Sequence, residues 1–457
     1  MTTPFETLVD RARARMPELG VPGVAIAVLH QGRVESIGLG VTSVENPLPM
    51  TADTILQVGS ISKTFLGTTA LRLVEAGALN LDTPVRAYLP ELKLRDPSVL
   101  SAVTMRHLLS HTGGWAGDYF NDFGWGDDAI VRMVAACADL EQLTPVGTVW
   151  HYNNAGFSIA ARVIEVVSGK AYEDAVRDLV FTPLGLSNTT FWPWEAMVKR
   201  FGVGHMAGFG NPPEPKVASP WPIGRATHGA GGINSTVNDL IRYARLHLLQ
   251  LEPGQAMALS AERVREMQQP VTVAGGVADA WGLSWSIRYV QGRAVIGHGG
   301  ATHGFIADLT MLPDEGFAIA ILTNCNRGRE ITGDVASLAL KSYFGLEKPA
   351  APKIELGPEQ LAAYANHYDA QLQFIELKVV DGRLVFQAIP KGRFPFPDSP
   401  PAPAPPPTWL SFITPDRAEI AEGPGKGGIV EFLRGPDGSI AWLRTGGRLH
   451  RAVSYEP

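Results

Sequence analysis

The sequence predicts an α+β fold in which an antiparallel sheet is flanked by helices, with a helical subdomain beside it and a small all-β domain at the C-terminal end. Strand patterns lie near both ends of the larger, N-terminal part of the chain, and helical patterns fill its middle. This order indicates one sheet built from both ends, with the helices packed beside it. Of the 457 residues, 45% are hydrophobic and 18% are charged, which is enough apolar material for a large core.

The sheet is expected to begin and end with hairpins. Two apolar runs at 24–29 and 34–44 flank the turn sequence HQGR. Two further runs, at 305–312 and 317–323, flank the turn sequence PDEG. Each pair therefore predicts two antiparallel strands.

Apolar residues recur at helical spacing in four further segments, which span residues 60–77, 155–168, 236–249 and 334–344. In the first of them, Leu66, Ala70 and Leu73 fall on one helix face. The third opens with a capping-box sequence, TVND. Each of the four segments therefore predicts a helix.

Residues 345–357 have the composition of a linker, which predicts domains at 1–346 and 358–457. The second domain contains short strand patterns separated by Asp-Gly turns, as in a small antiparallel barrel or sandwich. Residues 390–407 within it contain nine prolines. Because proline cannot donate to a β-ladder, this stretch is expected to be a loop.

Composition argues against several kinds of partner. The formal net charge is −6 and no long basic run occurs, so nucleic acid is not expected to bind. No stretch approaches about 18 apolar residues, so no membrane association is expected. The first 16 residues look like an amphipathic helix without the apolar core of a signal peptide, which favours a cytoplasmic location. Cys137 and Cys325 lie in apolar runs and are expected to be buried thiols, and neither a metal nor a cofactor is expected.

The sequence QVGSISKTF places Ser60 at the start of a helix and Lys63 three residues later. Residues at i and i+3 are neighbours on a helix, so Lys63 can point at the Ser60 hydroxyl. Only an uncharged lysine can accept that proton, so the site must lower the lysine pKa by burial or by a nearby charge. The alternative is that Ser60 merely caps its helix.

The sequence WHYNNAG contains Tyr152 and Asn154, which face the same side if the segment is extended. The Tyr152 phenol can relay protons to or from Ser60, and the Asn154 amide can hold the Lys63 amine and a substrate carbonyl. The alternatives are a buried structural tyrosine and an asparagine that caps the following helix.

The sequence IGHGGA contains His298, Gly300 and Ala301. A strand edge at Gly300 and Ala301 can bind an acyl substrate, since glycine allows close approach to the backbone. The Ala301 N–H and the Ser60 N–H can together form an oxyanion hole. His298 would face the same cleft, and the alternative is a histidine in a glycine-rich turn.

In this order, the three motifs resemble the Ser-x-x-Lys, Tyr-x-Asn and [Lys/His]-x-Gly boxes of the serine β-lactamase and penicillin-binding-protein superfamily, in its class C-like branch. The sequences HLLSHTGG at 107–114 and GGINST at 231–236 also resemble that branch. The resemblance covers about residues 1–344 and implies a β-lactamase-like domain.

The resemblance implies a role for each site residue. Ser60 would be the acylated nucleophile, and Lys63 with Tyr152 would be the base pair. Asn154 would position the substrate, and His298 would line the cleft.

Two departures limit what the resemblance implies. Tyr152-Asn153-Asn154 stands where the class A-like branch has Ser-Asp-Asn, which makes the chain similar to class C enzymes, D-aminopeptidases, DD-peptidases and family VIII carboxylesterases. His298-Gly299-Gly300 stands where many β-lactamases have Lys-Thr-Gly, so a titratable ring replaces a permanent cation. Weak or no β-lactamase activity is therefore expected.

The expected function is that of a serine hydrolase that forms an acyl-enzyme on Ser60 and cleaves carboxylic esters or amides. A carboxylesterase is the first expectation. The alternatives are a D-amino-acid-specific peptidase or peptide acyltransferase, and a sensor that is acylated without turnover. The expected partner is a small-molecule ester or a short peptide, and the sequence leaves the oligomeric state open.

Two other patterns are given structural interpretations. His107 and His111 lie four residues apart, as metal-binding histidines on a helix do, but the glutamate of a zincin motif is missing between them. They are expected to pack and to form hydrogen bonds. The sequence GVGHMA at 202–207 superficially matches a dinucleotide fingerprint, but the prolines that follow cannot open the required helix.

Overall fold

The computed structural model describes residues 2–392, 394 and 397–453. Its strands in chain order are β1 (Gly23–His30), β2 (Arg33–Gly40), β3 (Leu56–Gln57), β4 (His205–Ala207), β5 (Pro215–Val217), β6 (Asn234–Ser235), β7 (Ala280–Trp281), β8 (Ser286–Val290), β9 (Arg293–Thr302), β10 (Phe305–Leu312), β11 (Phe317–Thr323), β12 (Asn366–Asp369), β13 (Gln373–Val380), β14 (Arg383–Pro390), β15 (Thr408–Thr414), β16 (Arg417–Ile420), β17 (Ile429–Arg434), β18 (Ile440–Thr445) and β19 (Arg448–Val453). Its α-helices are α1 (Pro4–Leu19), α2 (Ser62–Glu75), α3 (Met105–Leu109), α4 (Ala129–Ala136), α5 (Asn154–Ser168), α6 (Tyr172–Val176), α7 (Thr182–Leu184), α8 (Pro193–Met197), α9 (His228–Gly231), α10 (Val237–His247), α11 (Ala261–Met267), α12 (Gly328–Phe344) and α13 (Pro358–Ala362).

The main sheet has seven antiparallel strands in the order β2-β1-β11-β10-β9-β8-β7. Both predicted hairpins are confirmed, because His30 pairs with Arg33 and Leu312 pairs with Phe317. Strand β1 pairs with β11, so the two hairpins join at the centre of the sheet. The predicted sheet built from both ends of the domain is therefore present.

Both faces of the sheet are covered. Alternate residues of a strand point to opposite faces, and in β1 both sets are apolar. One set packs under α1 and α12, and the other packs against α2 and the helical region; these sets are Val24, Ile26 and Val28, and Ala25, Ala27 and Leu29. The sequence of β1 is accordingly a continuous apolar run.

The four predicted helices correspond to α2, α5, α10 and α12. Helix α2 is buried on almost all sides instead of one face, because helices of the subdomain enclose it. Helix α12 begins at Gly328, six residues before the predicted start at 334. The sequence did not predict this first turn because Gly328-Arg329-Glu330 has no apolar periodicity. Helix α5 ends at Ser168, as predicted, and Gly169 caps it with φ of 66°.

Strands β12 to β19 form a closed eight-stranded antiparallel barrel in which β19 pairs with β12. The sequence left a barrel and a sandwich open, and the structure shows the barrel. Its interior is filled partly by aromatic rings, including Tyr364, Tyr368, Phe412 and Phe432. The proline-rich segment joins β14 to β15, and its described residues after Pro390 form no strand or helix, as predicted.

Both cysteines are buried and form no disulfide, as predicted. Among the described residues, none of the helices combines the length and the apolar character needed to cross a membrane.

Candidate active site

Ser60 lies in a 3₁₀ turn, Gly59–Ile61, that leads directly into α2. Gly59 has φ of 51°, in the left-handed region, and a Cβ at this position would lie 2.7 Å from the Ala301 nitrogen. Glycine alone tolerates both conditions. The turn is therefore pressed against β9, and Ser60 faces the cleft beside that strand.

Lys63 lies in the first turn of α2 and is fully buried. Its Nζ lies 3.0 Å from Ser60 Oγ and donates a hydrogen bond of 2.5 Å to the Ala230 carbonyl. Burial, aided by the positive charge of Arg448, lowers the pKa of Lys63 well below its ordinary value, and Asp118 opposes this only in part. The shift favours an uncharged amine at hydrogen-bond distance from Ser60, which is the condition that the sequence analysis set for a base.

Tyr152 lies in the extended segment just before α5. Its Oη is buried and forms no hydrogen bond with the described residues. Burial raises the pKa of Tyr152, although the neighbouring Ser60 hydroxyl and the charge of Arg448 act in the opposite direction. The phenol therefore keeps its proton at neutral pH and is free to donate it.

Asn154 is the first residue of α5, and Asn153 is the residue that caps the helix. Asn153 Oδ1 accepts a hydrogen bond of 2.8 Å from the Gly156 N–H. Asn154 Nδ2 donates to Asp118 Oδ1 at 2.7 Å. Within the described chain no hydrogen bond joins Asn154 to Lys63, whose amine bonds to Ser60 and to the Ala230 carbonyl instead.

His298, Gly300 and Ala301 lie on β9. This strand pairs with β10 as far as Thr302, but it pairs with β8 only as far as Gly297. The other edge of the final residues therefore pairs with no described strand. A Cβ on Gly300 would lie 1.9 Å from the Val58 oxygen and 3.2 Å from the Ser60 nitrogen, so the two backbones are in direct contact. The backbone N–H groups of Ser60 and Ala301 thus lie at one corner of the cleft, as an oxyanion hole requires.

The His298 ring is buried beside this corner. Its Nδ1 lies 2.6 Å from the Gly299 oxygen, and its ring centroid lies 5.4 Å from that of Trp281. Burial and the nearby Lys63 lower the pKa of His298 to about 3. The ring is therefore neutral at pH 7 and does not supply the cation of a Lys-Thr-Gly box.

Asp118 and Arg448 belong to the site but carry no recognisable sequence signal. Arg448 is the first residue of β19 in the barrel, and its Nε and Nη2 lie 3.0 and 3.2 Å from the two oxygens of Asp118. Its guanidinium also lies over the Tyr152 ring, 4.7 Å from the centroid. Burial alone would raise the pKa of Asp118, but Arg448 and the Asn154 amide hold it below its ordinary value. A charged carboxylate therefore links Asn154 to the barrel.

Further hydrogen bonds hold the barrel against the segment 150–154, which contains Tyr152 and Asn154. The Tyr152 N–H donates to the Gly447 carbonyl at 2.7 Å, and Arg444 Nη1 donates to the Trp150 carbonyl at 2.8 Å. The Asp118 N–H donates to Gln371 Oε1 at 2.7 Å. The barrel thus holds the Tyr-x-Asn segment from the side opposite α5.

These residues line a cleft of about 1230 Å³. The barrel loop 423–428 borders it, and Arg448 forms part of its wall. All of the site residues predicted from the sequence line this cleft except Lys63, which lies buried beneath Ser60.

His107 and His111 form hydrogen bonds, as predicted. His107 Nδ1 accepts the Thr104 N–H at 3.2 Å, and His111 Nδ1 accepts the Asn153 N–H at 3.0 Å. In the part of the chain that the structure describes, no group of His, Cys, Asp and Glu is arranged to hold a metal ion. The GVGHMA sequence runs into strand β4 and not into a helix, which excludes a dinucleotide fingerprint there.

The family described as Beta-lactamase matches residues 6–341, which is more than half of the chain. The chain belongs to the beta-lactamase family. The match covers the main sheet and the helical region and ends before the barrel.

Curated relatives of this beta-lactamase-family chain have several names. "Penicillin-binding protein 4" of Amycolatopsis lactamdurans is 35% identical over 376 residues, which cover 79% of this chain and 97% of the relative. "Esterase EstB" of Burkholderia gladioli is 28% identical and covers 59% of this chain and 75% of its own. "D-aminopeptidase" of Gluconobacter oxydans is 25% identical and covers 70% of this chain and 58% of its own. The relatives therefore include proteins named as an esterase, an aminopeptidase and a penicillin-binding protein.

Solved structures show the same fold. The structure titled "Crystal structure of SurE" has a TM-score of 0.76 at 24% identity and covers 98% of this chain and 99% of its own. A class C beta lactamase from Rhodobacter sphaeroides has a TM-score of 0.60 at 23% identity and covers 73% of this chain and 98% of its own. The first likeness spans nearly the whole chain, including the barrel, and the second covers a smaller part of it.

The contact between the barrel and the Tyr152 segment predicts different outcomes for two matched glycine substitutions. Gly447 and Gly438 have φ of 81° and 80°, but a Cβ on Gly447 would lie 3.0 Å from the Trp150 ring, whereas nothing lies within 4 Å at Gly438. Gly447→Ala and Gly438→Ala should each lower the free energy of unfolding by about 1 kcal/mol, because both adopt the left-handed conformation. Only Gly447→Ala should also slow substrate hydrolysis, by about 10-fold or more, since it displaces the Tyr152 segment. Thermal unfolding and initial rates measure the two effects, and equal loss of activity in both variants would contradict the role given to the contact.

Proposed function

We propose that this chain is a serine hydrolase that is acylated at Ser60 and acts on short peptide-like substrates. The observation that carries the proposal is the buried Lys63 amine, 3.0 Å from Ser60 Oγ, with a protonated Tyr152 beside them. No other group is needed to generate the nucleophile. A lysine with a lowered pKa accepts the proton, and the serine oxygen attacks the carbonyl carbon.

The residues around Ser60 support each proton transfer. The N–H groups of Ser60 and Ala301 stabilise the negative oxygen of the tetrahedral intermediate. Tyr152 then gives its proton to the leaving nitrogen or oxygen, and the Lys63 ammonium returns a proton to Tyr152. Attack of water on the acyl-enzyme repeats these steps in reverse and restores Ser60.

Three features support a peptide-like acyl donor. Beyond Gly297 the β8-side edge of β9 pairs with no described strand, so an extended substrate can add its backbone there. The barrel forms part of the cleft wall through its loop 423–428 and Arg448, which suits a substrate of limited length. Curated relatives named penicillin-binding protein and D-aminopeptidase are consistent with this class.

A carboxylesterase, the first expectation from the sequence, is the second candidate. The neutral His298 ring favours it, because the third box then imposes no charge on the substrate. The similarity to "Esterase EstB" is consistent with this candidate.

Substrate comparison separates the two candidates. We expect D-alanine nitroanilide to be hydrolysed faster than its L-enantiomer, with nitrophenyl acyl esters also cleaved and a chromogenic cephalosporin turned over weakly or not at all. Ser60→Ala is the control at equal enzyme concentration. Turnover of esters with no hydrolysis of either anilide would favour the carboxylesterase, and a stoichiometric burst without a steady state would indicate an acyl sensor.

Removal of either proton-transfer group should slow acylation strongly. Lys63→Ala and Tyr152→Phe should each lower kcat/KM by at least about 100-fold, the lower end of general acid-base contributions. Labelling of Ser60 by a fluorophosphonate probe, followed by mass spectrometry, measures the same step without a substrate. A folded variant that keeps nearly full activity would remove that residue from the mechanism.

The pH dependence should report on Lys63 and not on His298. Only the uncharged amine is active, so kcat/KM should rise with pH through the Lys63 pKa, and this rise should occur well below the pH at which an ordinary lysine loses its proton. His298, with a pKa of about 3, is already neutral across this range, so His298→Gln should leave the position of the acidic limb unchanged. Lys63→Arg should be inactive because a guanidinium cannot accept the proton. A limb that moves in His298→Gln would assign the titration to the histidine.

A further inference from the structure

His111 is a buried histidine in contact with the proposed proton donor, Tyr152, and the mechanism above does not use it. It follows helix α3, is 1% exposed and does not line the cleft. Its ring centroid lies 4.2 Å from that of Tyr152, with the two ring planes 30° apart. The two rings therefore pack against each other, and the position of one constrains the position of the other.

The Tyr152 phenol depends on such packing because its polar end is not held. Its Oη forms no hydrogen bond with the described residues. The phenol is therefore placed by the contacts of its ring and by the backbone that carries it. The ring centroids of Trp281 and His298 lie 6.2 Å from that of Tyr152, which is further than His111.

His111 also binds the backbone on both sides of Tyr152. Its carbonyl accepts the His151 N–H at 3.1 Å, and its Nδ1 accepts the Asn153 N–H at 3.0 Å. The N–H between them, that of Tyr152, bonds instead to the Gly447 carbonyl of the barrel at 2.7 Å. His111 and the barrel thus hold alternate N–H groups of one extended segment, and the phenol projects from its middle residue.

The backbone at His111 indicates that the side chain is needed at this position. His111 has φ of 58°, in the left-handed region. The Thr112 N–H bonds to the His107 carbonyl at 2.9 Å, and the His111 N–H bonds to the Leu108 carbonyl at 3.3 Å. These two bonds form a Schellman motif at the end of α3, where glycine is the usual residue. A side chain with a Cβ makes this conformation less favourable, so the cap alone does not explain a histidine here.

The His111 ring is suited to support and not to proton transfer. Because Nδ1 accepts the Asn153 N–H, a neutral ring carries its proton on Nε2. Nε2 is buried and forms no hydrogen bond with the described residues. The ring centroids of Phe157 and Trp281 lie 5.0 and 5.2 Å from that of His111. Burial among these groups lowers the pKa of His111 well below its ordinary value, so Nδ1 remains available as an acceptor.

We infer that His111 positions Tyr152 for protonation of the leaving group, through the contact between the two rings and the bond to the Asn153 N–H. This inference rests on the proposed function, in which Tyr152 gives its proton to the leaving atom. His111 is a positioning residue, because it acts through Tyr152 and not on the substrate. A displaced phenol slows a reaction most when the leaving group needs a proton most.

Two neutral esters with the same acyl group separate this effect from a general loss of activity. Nitrophenyl butyrate has a leaving group that departs readily as an anion, whereas phenyl butyrate has a more basic leaving group that gains more from protonation. The readout is the ratio of kcat/KM for phenyl butyrate to that for nitrophenyl butyrate, measured with the full-length protein. This ratio does not depend on the fraction of folded enzyme. Thermal unfolding measures the stability of each variant separately.

Two substitutions remove both the ring and the acceptor. His111→Gly suits the left-handed backbone, whereas His111→Leu fills more of the space that the ring leaves. Each should lower the ratio by about 10-fold or more, because small displacements of a catalytic group have large effects on rate.

One conservative variant and one control accompany them. His111→Asn should restore part of the ratio, because asparagine tolerates the left-handed conformation and its Oδ1 can accept the Asn153 N–H in place of Nδ1. His107→Asn is the matched control, because His107 belongs to the same helix and its Nδ1 accepts the Thr104 N–H. The control should keep the wild-type ratio within about threefold.

A double variant tests whether His111 acts through Tyr152. Tyr152→Phe should itself lower the ratio, because it removes the proton that the leaving group receives. In the Tyr152→Phe background, His111→Gly should lower the ratio no further, since no phenol is left to position. Effects that multiply would show that His111 influences the leaving group by another route and would contradict the inference.

The outcomes separate this inference from the proposed function. A ratio that falls in His111→Gly and His111→Leu, recovers in part in His111→Asn and is unchanged in His107→Asn supports the positioning role. If both esters are hydrolysed through Ser60 but the folded glycine and leucine variants keep the wild-type ratio, His111 serves only to end α3, and the proposed function stands. If neither ester is hydrolysed and the fluorophosphonate probe does not label Ser60, the proposed function fails, and the inference fails with it.

Discussion

The burial of one lysine amine beside a serine hydroxyl is the constraint on which the rest of the structure depends. Water around Lys63 would keep it as an ammonium, so α2 must be enclosed on nearly every side. The amine lies 4.8 Å from the centre of the Tyr152 ring and 5.4 Å from that of Phe157, and it keeps a polar partner in the Ala230 carbonyl. A buried amine with a hydrogen-bond partner and aromatic neighbours costs less than an isolated buried charge. The helical subdomain thus serves the chemistry of Ser60 by keeping water away from its neighbour.

The barrel completes the electrostatics of this site. Asp118 is a buried carboxylate that needs a cation, and an uncharged Lys63 cannot be that cation. Arg448 supplies it from a residue 330 positions later in the chain. The same guanidinium helps to lower the Lys63 pKa, so a barrel side chain acts directly on the proposed base. The barrel is therefore part of the cleft and not an appendage to it.

The parts of the structure that could be predicted from the sequence are those set by local patterns. The hairpins and helices follow from periodicity and turn residues, and Ser60 and Lys63 follow from their spacing on one helix. Asp118 and Arg448 could not be predicted, because their roles depend on contacts between segments far apart in the sequence. The helix cap illustrates the same limit at close range: Asn153 and Asn154 are adjacent and chemically identical, and only the backbone path decides that Asn153 caps α5 while Asn154 bonds to Asp118.

The charges of the cleft, taken together, indicate what kind of substrate the site favours. Lys63 is driven towards its uncharged form by burial, His298 is neutral, and Arg448 is compensated by Asp118. Among the described arginines that line the cleft, Arg329 is the one without an ion pair. The third box contains the neutral His298 ring at the position where many β-lactamases have a permanent cation. A substrate group that lies beside the third box therefore meets a neutral ring and not a cation.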